Sequence, residues 1–341
     1  MVRIVRATQV ELETAVQALR DGELVAFPTE TVYGLGANAQ NPAAVQKIFA
    51  VKGRPPQHPV IVHIDSPKYL HRWVREVPET ATRLAEAFWP GALTMVMPRA
   101  PSVHDIITGG QDTIAIRVPA HPMAQQLLTA FGGGIAAPSA NRFGRLSPTR
   151  AEHVREELGD AARVILDGGE CQIGLESTIV SFEGAAVRLL RPGSITARQI
   201  RELVGELLEG VDGATDAPRV PGSAPTHYAP STPMTIVPAG EIDAHADAQS
   251  AGARRVAVLA QRLPLRAHKY VTWINAGRRA ESYARDLYNN LRTLDKAGCT
   301  RILVQDVPEG EPWDAIRDRL RRAASSVADS DDGSGTMAVL P

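Results

Sequence analysis

Glu23-Leu24-Val25-Ala26-Phe27-Pro28-Thr29-Glu30-Thr31-Val32-Tyr33-Gly34-Leu35-Gly36 is the stretch on which the fold turns. Leu24 to Phe27 is uniformly apolar and reads as a buried strand, set after a helical spacing of apolar residues from Glu11 to Leu19. The strand ends in a turn dense with hydroxyls and glycines, and strand ends are where α/β sheets hold ligands. Thr29, Thr31 and Tyr33 offer hydroxyls, while Gly34 and Gly36 would let backbone approach a ligand. An ordinary strand-to-helix turn has the same composition, so the stretch alone favours neither reading.

Working outward, Asn41 suits an N-cap and Pro42 the first helical position of a helix that runs to Gly53. Beyond it, Val60–Ile64, Leu93–Met97, Thr113–Val118, Ile135–Ala137 and Arg163–Asp167 read as strands. Pro78–Phe88, Pro122–Phe131 and Glu152–Leu158 read as helices. Ser177–Phe182 and Ala186–Leu190 form a pair around Glu183-Gly184, and Thr196–Leu208 is helical. Helices alternate with strands that sometimes follow each other directly, which predicts an α/β domain with a mixed sheet over residues 1–208. Residues 209–233 are crowded with Pro218, Pro221, Pro225, Pro230 and Pro233 and read as an extended linker. From 234 to 341 strands at Thr235–Val237, Arg255–Leu259, Val271–Ile274 and Arg301–Gln305 alternate with helices at Ser282–Lys296 and Trp313–Val327. That pattern predicts a smaller Rossmann-like α/β domain with a parallel sheet.

The formal net charge of -1 and the few aromatics argue against a dedicated nucleic-acid binder. Cys171 and Cys299 are far apart and outside any C-x-x-C pair, which disfavours a disulfide framework or zinc site and fits a reducing cytoplasm. No signal peptide opens the chain, and no apolar run approaches about 18 residues, so no membrane span is expected.

Several short motifs carry polar groups at element ends. Lys52-Gly53-Arg54-Pro55 sets two cations at a helix C-terminus, where they suit phosphates or simply the helix dipole. His63 ends an apolar strand. Arg117 sits inside one, and a buried arginine needs an anion. A ligand carboxylate and an internal Asp or Glu stand level as that anion. Ala137-Pro138-Ser139-Ala140-Asn141 is a small-residue turn after a strand. Glu176-Ser177-Thr178 enters one strand, and Arg191 leaves the next. There is no G-x-x-x-x-G-K-[ST], no G-x-G-x-x-G after a strand and no G-x-S-x-G.

In order, the chain carries F-P-T-E-T-V-Y-G-L-G, K-G-R-P, H-P-V-I-V-H, W-P-G-A-L-T, I-R-V-P-A-H-P, A-P-S-A-N and L-E-S-T-I-V. That succession, from about Arg6 to Leu207, resembles the YrdC-type threonylcarbamoyl-AMP synthases. Thr226-His227-Tyr228-Ala229-Pro230 and the small second domain resemble the longer, two-domain members. The resemblance implies a twisted synthase domain with a concave basic cleft. It also implies a reaction in which L-threonine, bicarbonate and ATP give threonylcarbamoyl-AMP and pyrophosphate. The product feeds a separate transferase that modifies tRNAs reading codons that begin with A; contact with tRNA itself is not required.

By the same resemblance, Thr31, His63, Arg117, Ala137 and Ser177 would form the threonine pocket, with Arg117 on the carboxylate. ATP would lie against Lys52, Arg54, His58, Thr113, Ser139, Asn141, Ser147, Arg191 and Ser231. Family members carry asparagine where this chain has His58 and Ser231. Lys52 and Arg54, with Mg²⁺ held mainly by phosphates and water, would stabilise the leaving pyrophosphate. The linker with Tyr228 would close over the site as a lid and keep water from the intermediates. Two other readings compete. One is a hydrogenase-maturation carbamoyltransferase, whose acylphosphatase-like and Cys-rich segments are not seen in this sequence. The other is an RNA-binding or ribosome-assembly module using the concave face.

Overall fold

The computed structural model describes residues 3–6, 8–184, 186–209, 217–222 and 227–324. The linker residues 210–216 and 223–226, the end of the expected 313–327 helix and the tail from 328 lie outside the described residues. The chain divides into two compact units, one of Met1–Phe143, Ser147–Ser223 and Gly310–Ala315, the other of Gly144–Leu146, Ala224–Glu309 and Ile316–Pro341.

In chain order the first unit contains β1 (Arg3–Arg6), α1 (Gln9–Arg20), β2 (Val25–Phe27), β3 (Gly34–Asn38), α2 (Pro42–Lys52), β4 (Ile61–His63), α3 (Glu79–Phe88), β5 (Leu93–Pro98), α4 (Asp105–Thr108), β6 (Thr113–Arg117), α5 (Pro122–Phe131), β7 (Ile135–Ala136), α6 (Ala151–Leu158), β8 (Val164–Asp167), β9 (Thr178–Glu183), β10 (Ala186–Arg191), α7 (Ala197–Val204) and β11 (Leu207–Glu209). The strands form one mixed sheet in the order β1-β8-β2-β3-β7-β4-β6-β5-β9-β10-β11. Local signals account for α2: the Asn41 side chain accepts from the Ala43 and Ala44 amides, Pro42 opens the helix, and Gly53 ends it in the left-handed region.

Strand alternation divides the side chains between two faces. On one face Ala26, Leu35, Val62, Ile116, Met95 and Val180 pack under α2, α3 and α6. On the other, α1 and α5 cover Val25, Phe27, Ile135 and Val164. The rest of that second face is different. There Ile61, Val96, Ala115, Ile179 and Leu190 form a cluster that, among the described residues, holds no helix residue and is covered by Val220 and Ala217. The half of the sheet built by β4, β6, β5, β9 and β10 is therefore capped by a chain segment, and the candidate site lies along it.

Two expectations are corrected. The turn after Phe27 does not extend through Gly34 and Gly36: Gly34–Asn38 returns as β3, antiparallel to β2. A Cβ on Gly36 would lie 2.8 Å from Ile135 Cγ2 and 2.9 Å from Phe27 Cε1, so its glycine serves strand packing, not ligand approach. Thr196–Leu208 is not a single helix either. Thr196 and Gln199 form a capping box, α7 stops at Gly205 with φ 82°, and Leu207–Glu209 pairs in parallel with β10.

The second unit holds β12 (Met234–Val237), α8 (Ile242–Ser250), β13 (Val256–Ala260), β14 (Val271–Asn275), α9 (Ala280–Asp295), β15 (Arg301–Gln305) and α10 (Glu311–Ala324) from Ile316 onward. Its four strands are all parallel, in the order β12-β15-β13-β14, as the alternation of elements predicts.

Candidate active site

The loop Pro28–Tyr33 between β2 and β3 is organised by Thr29. Its hydroxyl donates to the Val32 carbonyl at 2.6 Å and accepts from the amides of Thr31 and Val32, each at 3.2 Å. The Thr29 and Thr31 hydroxyls lie 2.8 Å apart. Thr31 Oγ1 in turn accepts from Arg117 Nη1 at 2.8 Å. Tyr33 points elsewhere: its hydroxyl donates to the Gly169 carbonyl at 2.7 Å, and burial pushes its pKa up. Of the three hydroxyls in the loop, only that of Thr31 meets Arg117.

Arg117 ends β6 and is 3% exposed. Its Nη2 donates to Glu30 Oε1 at 2.7 Å and its Nε to the Gly91 carbonyl at 3.1 Å. Glu30, 5% exposed, also accepts from the Ala120 amide at 3.0 Å. Burial works against the Glu30 charge, but the Arg117 guanidinium and these hydrogen bonds prevail and hold the carboxyl below the usual range. The open question of a partner for Arg117 thus has an internal answer. Three of the five guanidinium N–H groups are used, leaving one on each terminal nitrogen.

His63, Arg117, Thr94 and Ile179 stand in register on four neighbouring strands and share one face. Burial, helped by the charge of Arg117, pulls the His63 pKa from 6.5 down to about 3, so its ring is neutral. An unfolded chain takes that proton near pH 6.5. The stability this neutral ring contributes is therefore complete above about pH 6.5 and drains toward about pH 3, by up to about 1.4 kcal/mol per pH unit. Urea unfolding at pH 7 and pH 5 should show the wild type losing about 2 kcal/mol more than His63→Asn. Equal losses would remove this account of His63.

Thr94 carries the row onward, its hydroxyl 2.7 Å from Ser177 Oγ. Arg191 donates to the Ser177 carbonyl from Nε at 3.1 Å and Nη2 at 2.8 Å, to Ser177 Oγ at 3.1 Å, and to the Pro221 carbonyl from Nη1 at 2.7 Å. The expected phosphate ligand Arg191 thus ties the covering segment to Ser177. Gln111 and Arg219 clamp the same segment through a reciprocal pair, with Arg219 N donating to Gln111 Oε1 at 2.7 Å and Gln111 Nε2 to the Arg219 carbonyl at 3.1 Å. Ser147 Oγ donates to Glu176 at 2.5 Å, both buried. Ala137 is held by its amide to the Ile61 carbonyl at 2.9 Å.

The cationic group forms a second cluster. Lys52, the last residue of α2, is buried, and its Nζ donates to the carbonyls of Ser139, at 2.5 Å, and Asn141. Burial, then the neighbouring Arg54 charge, lowers its pKa well below the ordinary lysine value. As an ammonium it carries one N–H beyond these two contacts. Arg54 Nη2 donates to the Pro59 carbonyl at 2.7 Å, and Phe143 packs between Arg54, 5.7 Å from its centroid, and His58, at 5.2 Å. Burial, then Arg54, lowers the His58 pKa. Thr113 opens β6, four residues from Arg117 and so about 13 Å away along the strand. An isolated bridge between Gly34 and Ser139 joins this cluster to the loop that presents Thr31.

Ser231 and Tyr228 belong to the second unit. The Ser231 amide donates to Asp295 at 2.9 Å. Tyr228, expected as a lid, is 1% exposed with φ 62°, and its ring packs on Tyr288 at 6.0 Å and beneath Arg319 at 5.2 Å within that unit. Among the described residues no three His, Cys, Asp or Glu side chains group as a metal site, and no helix is long and apolar enough to cross a membrane.

The family model Sua5_yciO_yrdC, described as telomere recombination, matches residues 17–193, and that of the threonylcarbamoyl-AMP synthase C-terminal domain matches residues 195–325. The threonylcarbamoyl-AMP synthase of Bacillus subtilis is 42% identical over 323 residues, covering 92% of this chain and 93% of the relative. The chain belongs to the threonylcarbamoyl-AMP synthase family. A family member from Schizosaccharomyces pombe is 34% identical over 365 residues, covering 94% of this chain and 90% of its own. The crystal structure of Pyrococcus abyssi Sua5 complexed with L-threonine superposes with a TM-score of 0.87 at 38% identity, over 95% of this chain and 97% of that one. Escherichia coli YciO, 23% identical with a TM-score of 0.50, shares the fold over 57% of this chain. Membership makes the chain an enzyme of the α/β class.

Within this family member the sequence reading overlooked Glu30, Thr94 and Glu176. Glu30 and Glu176 stand beside the selected Thr31 and Ser177, whereas Thr94 ends W-P-G-A-L-T, a motif from which no site residue was taken. The only signal for Glu30 was the rule that a buried arginine needs an anion, and that rule names no position.

Proposed function

We propose that the chain makes L-threonylcarbamoyl-AMP and pyrophosphate from L-threonine, bicarbonate and ATP. The observation that carries this reading is Arg117, a buried guanidinium oriented by three protein contacts and left with one N–H on each terminal nitrogen beside Thr31. A carboxylate, with two acceptor oxygens, suits a guanidinium with donors left on both terminal nitrogens. His63, Thr31, Ala137 and Ser177 then surround the rest of the amino acid, on the half of the sheet packed against Val220 and Ala217.

The nucleotide lies toward Lys52, Arg54, His58, Thr113, Ser139, Asn141 and Ser147. ATP enters as its Mg²⁺ complex, with the ion carried by the phosphates. The threonine amine condenses with bicarbonate, a C–N bond forming and water leaving, to give a carbamate whose oxygen attacks the α-phosphorus in line. The bond from that phosphorus to the bridging oxygen breaks, and pyrophosphate leaves with the electron pair. Lys52 and Arg54 neutralise the developing charge, and no protein nucleophile is needed. Positioning supplies much of the acceleration. The segment Ala217–Pro221 excludes water from the strand face it covers. The product serves a separate tRNA threonylcarbamoyl transferase acting on tRNAs that read codons beginning with A, in the cytoplasm.

Pyrophosphate release measured with each substrate omitted in turn tests the reading. The expected result is release only when L-threonine, bicarbonate and ATP are all present, with threonylcarbamoyl-AMP detected by mass spectrometry. ATP binding without threonine-dependent release would favour an RNA-binding module instead.

A further inference from the structure

We propose that Glu30 is the positioning residue that aims Arg117 at the amino-acid carboxylate. The inference rests on the proposed threonine reaction and adds to it a residue that makes no contact with substrate. Glu30 and Arg117 lie 87 positions apart and are both buried. The Glu30 carboxylate uses both oxygens at once: Oε1 accepts from Arg117 Nη2 at 2.7 Å, and Oε2 from the Ala120 amide at 3.0 Å. Only a carboxylate can do this. A glutamine has one acceptor oxygen, so its amide nitrogen would face either the Ala120 N–H or the guanidinium, donor against donor.

The consequence for Arg117 is geometric. Arginine carries four side-chain torsions, and an unrestrained guanidinium would have to lose that freedom each time substrate bound. Here Glu30, Thr31 Oγ1 and the Gly91 carbonyl hold Nη2, Nη1 and Nε respectively. Three attachment points define a plane, so the two remaining N–H groups keep fixed directions before substrate arrives. Glu30 also anchors more than the arginine. Its backbone carbonyl accepts from the Ile173 amide at 2.8 Å, and its side chain fixes Ala120, three residues past the end of β6. The carboxylate therefore joins the Thr31 loop to the β6 end, the two elements that must meet around one amino acid.

Charge acts in the opposite direction and sharpens the test. Glu30 already neutralises Arg117, so a substrate carboxylate shares the guanidinium with a second anion. A residue that served only as a counter-charge would weaken threonine binding, and its neutral replacement would tighten it. A positioning residue predicts the reverse.

The experiment is steady-state pyrophosphate release by wild type, Glu30→Gln and Glu30→Asp, with threonine and ATP varied separately. Threonine binding is measured in parallel by calorimetry without ATP. Glu30→Gln is expected to raise the threonine KM at least tenfold, with the ATP KM and kcat within about threefold of wild type. Glu30→Asp, which keeps both acceptor oxygens, is expected to recover part of that loss. A threonine KM that is unchanged or lowered in Glu30→Gln overturns the proposal. So does an equal fall in kcat with every KM intact. If Glu30→Gln does not fold, Glu30→Asp decides alone: a threonine affinity equal to wild type overturns it, and a selective loss supports it. Wild type run alongside separates the two ideas, since a wild type without threonine-dependent release refutes the reaction itself.

Discussion

Arg117→Ala is expected to lower stability by about 3–5 kcal/mol and to eliminate threonine-dependent pyrophosphate release. Removing the guanidinium leaves the Glu30 carboxylate buried, with backbone amides, those of Ala120 and of Glu30 itself, as its remaining hydrogen-bond donors. Breaking one side of a buried pair costs more than the pair itself contributes, because the surviving charge has no partner and no water. Part of the stability should return in the Glu30→Ala/Arg117→Ala double variant, where neither charge remains. Arg117→Lys should recover stability better than activity, since a lysine keeps the charge but not the planar fork. Urea denaturation gives the first quantity and pyrophosphate release the second. A fully stable Arg117→Ala protein would show that the pair is solvated and that its burial has been misjudged.

Lys52→Met is expected to reduce the rate of pyrophosphate release on the order of 10²–10³-fold, the usual effect of removing a preorganised donor to developing charge. Methionine keeps an unbranched stem that fills the buried channel, so packing is largely retained. The carbonyls of Ser139 and Asn141 lose their donor, at a cost of about 1–3 kcal/mol each in a buried setting. Both losses would come from one atom, because Lys52 Nζ holds the Ser139–Asn141 turn and is also the group proposed to meet a phosphate. Activity falling in proportion to the folded fraction alone would reduce Lys52 to a structural tie. Single-turnover release on protein shown to be folded by circular dichroism separates the outcomes.

Much of the architecture is local and therefore legible. The limits of α2 follow from Asn41, Pro42 and Gly53, each acting on its own or the next few residues. The parallel sheet of the second unit agrees with the alternating elements read from the sequence, although β13 passes to β14 without an intervening helix. Errors arose where a non-local partner set the conformation. Gly34 and Gly36 have the composition of a turn, but β2 supplied hydrogen-bond partners and Phe27 and Ile135 demanded small residues. Leu207 and Leu208 lie within the expected helical spacing, but Gly205 ended the helix and β10 offered an open edge.

The opening stretch shows the same division at the site. From sequence alone it followed that a buried strand ends among hydroxyls, that Arg117 is buried and needs an anion, and that the ordered motifs resemble one family. Side-chain type, hydrophobic period and motif order suffice for those conclusions. Which hydroxyl meets Arg117, and that the required anion is Glu30, depended on bringing β2, β3 and β6 into one sheet. The same holds for Arg191, which turns to Ser177 and Pro221. Hydrogen bonds act over about 3 Å, and only the folded sheet sets distances on that scale between residues far apart in the chain.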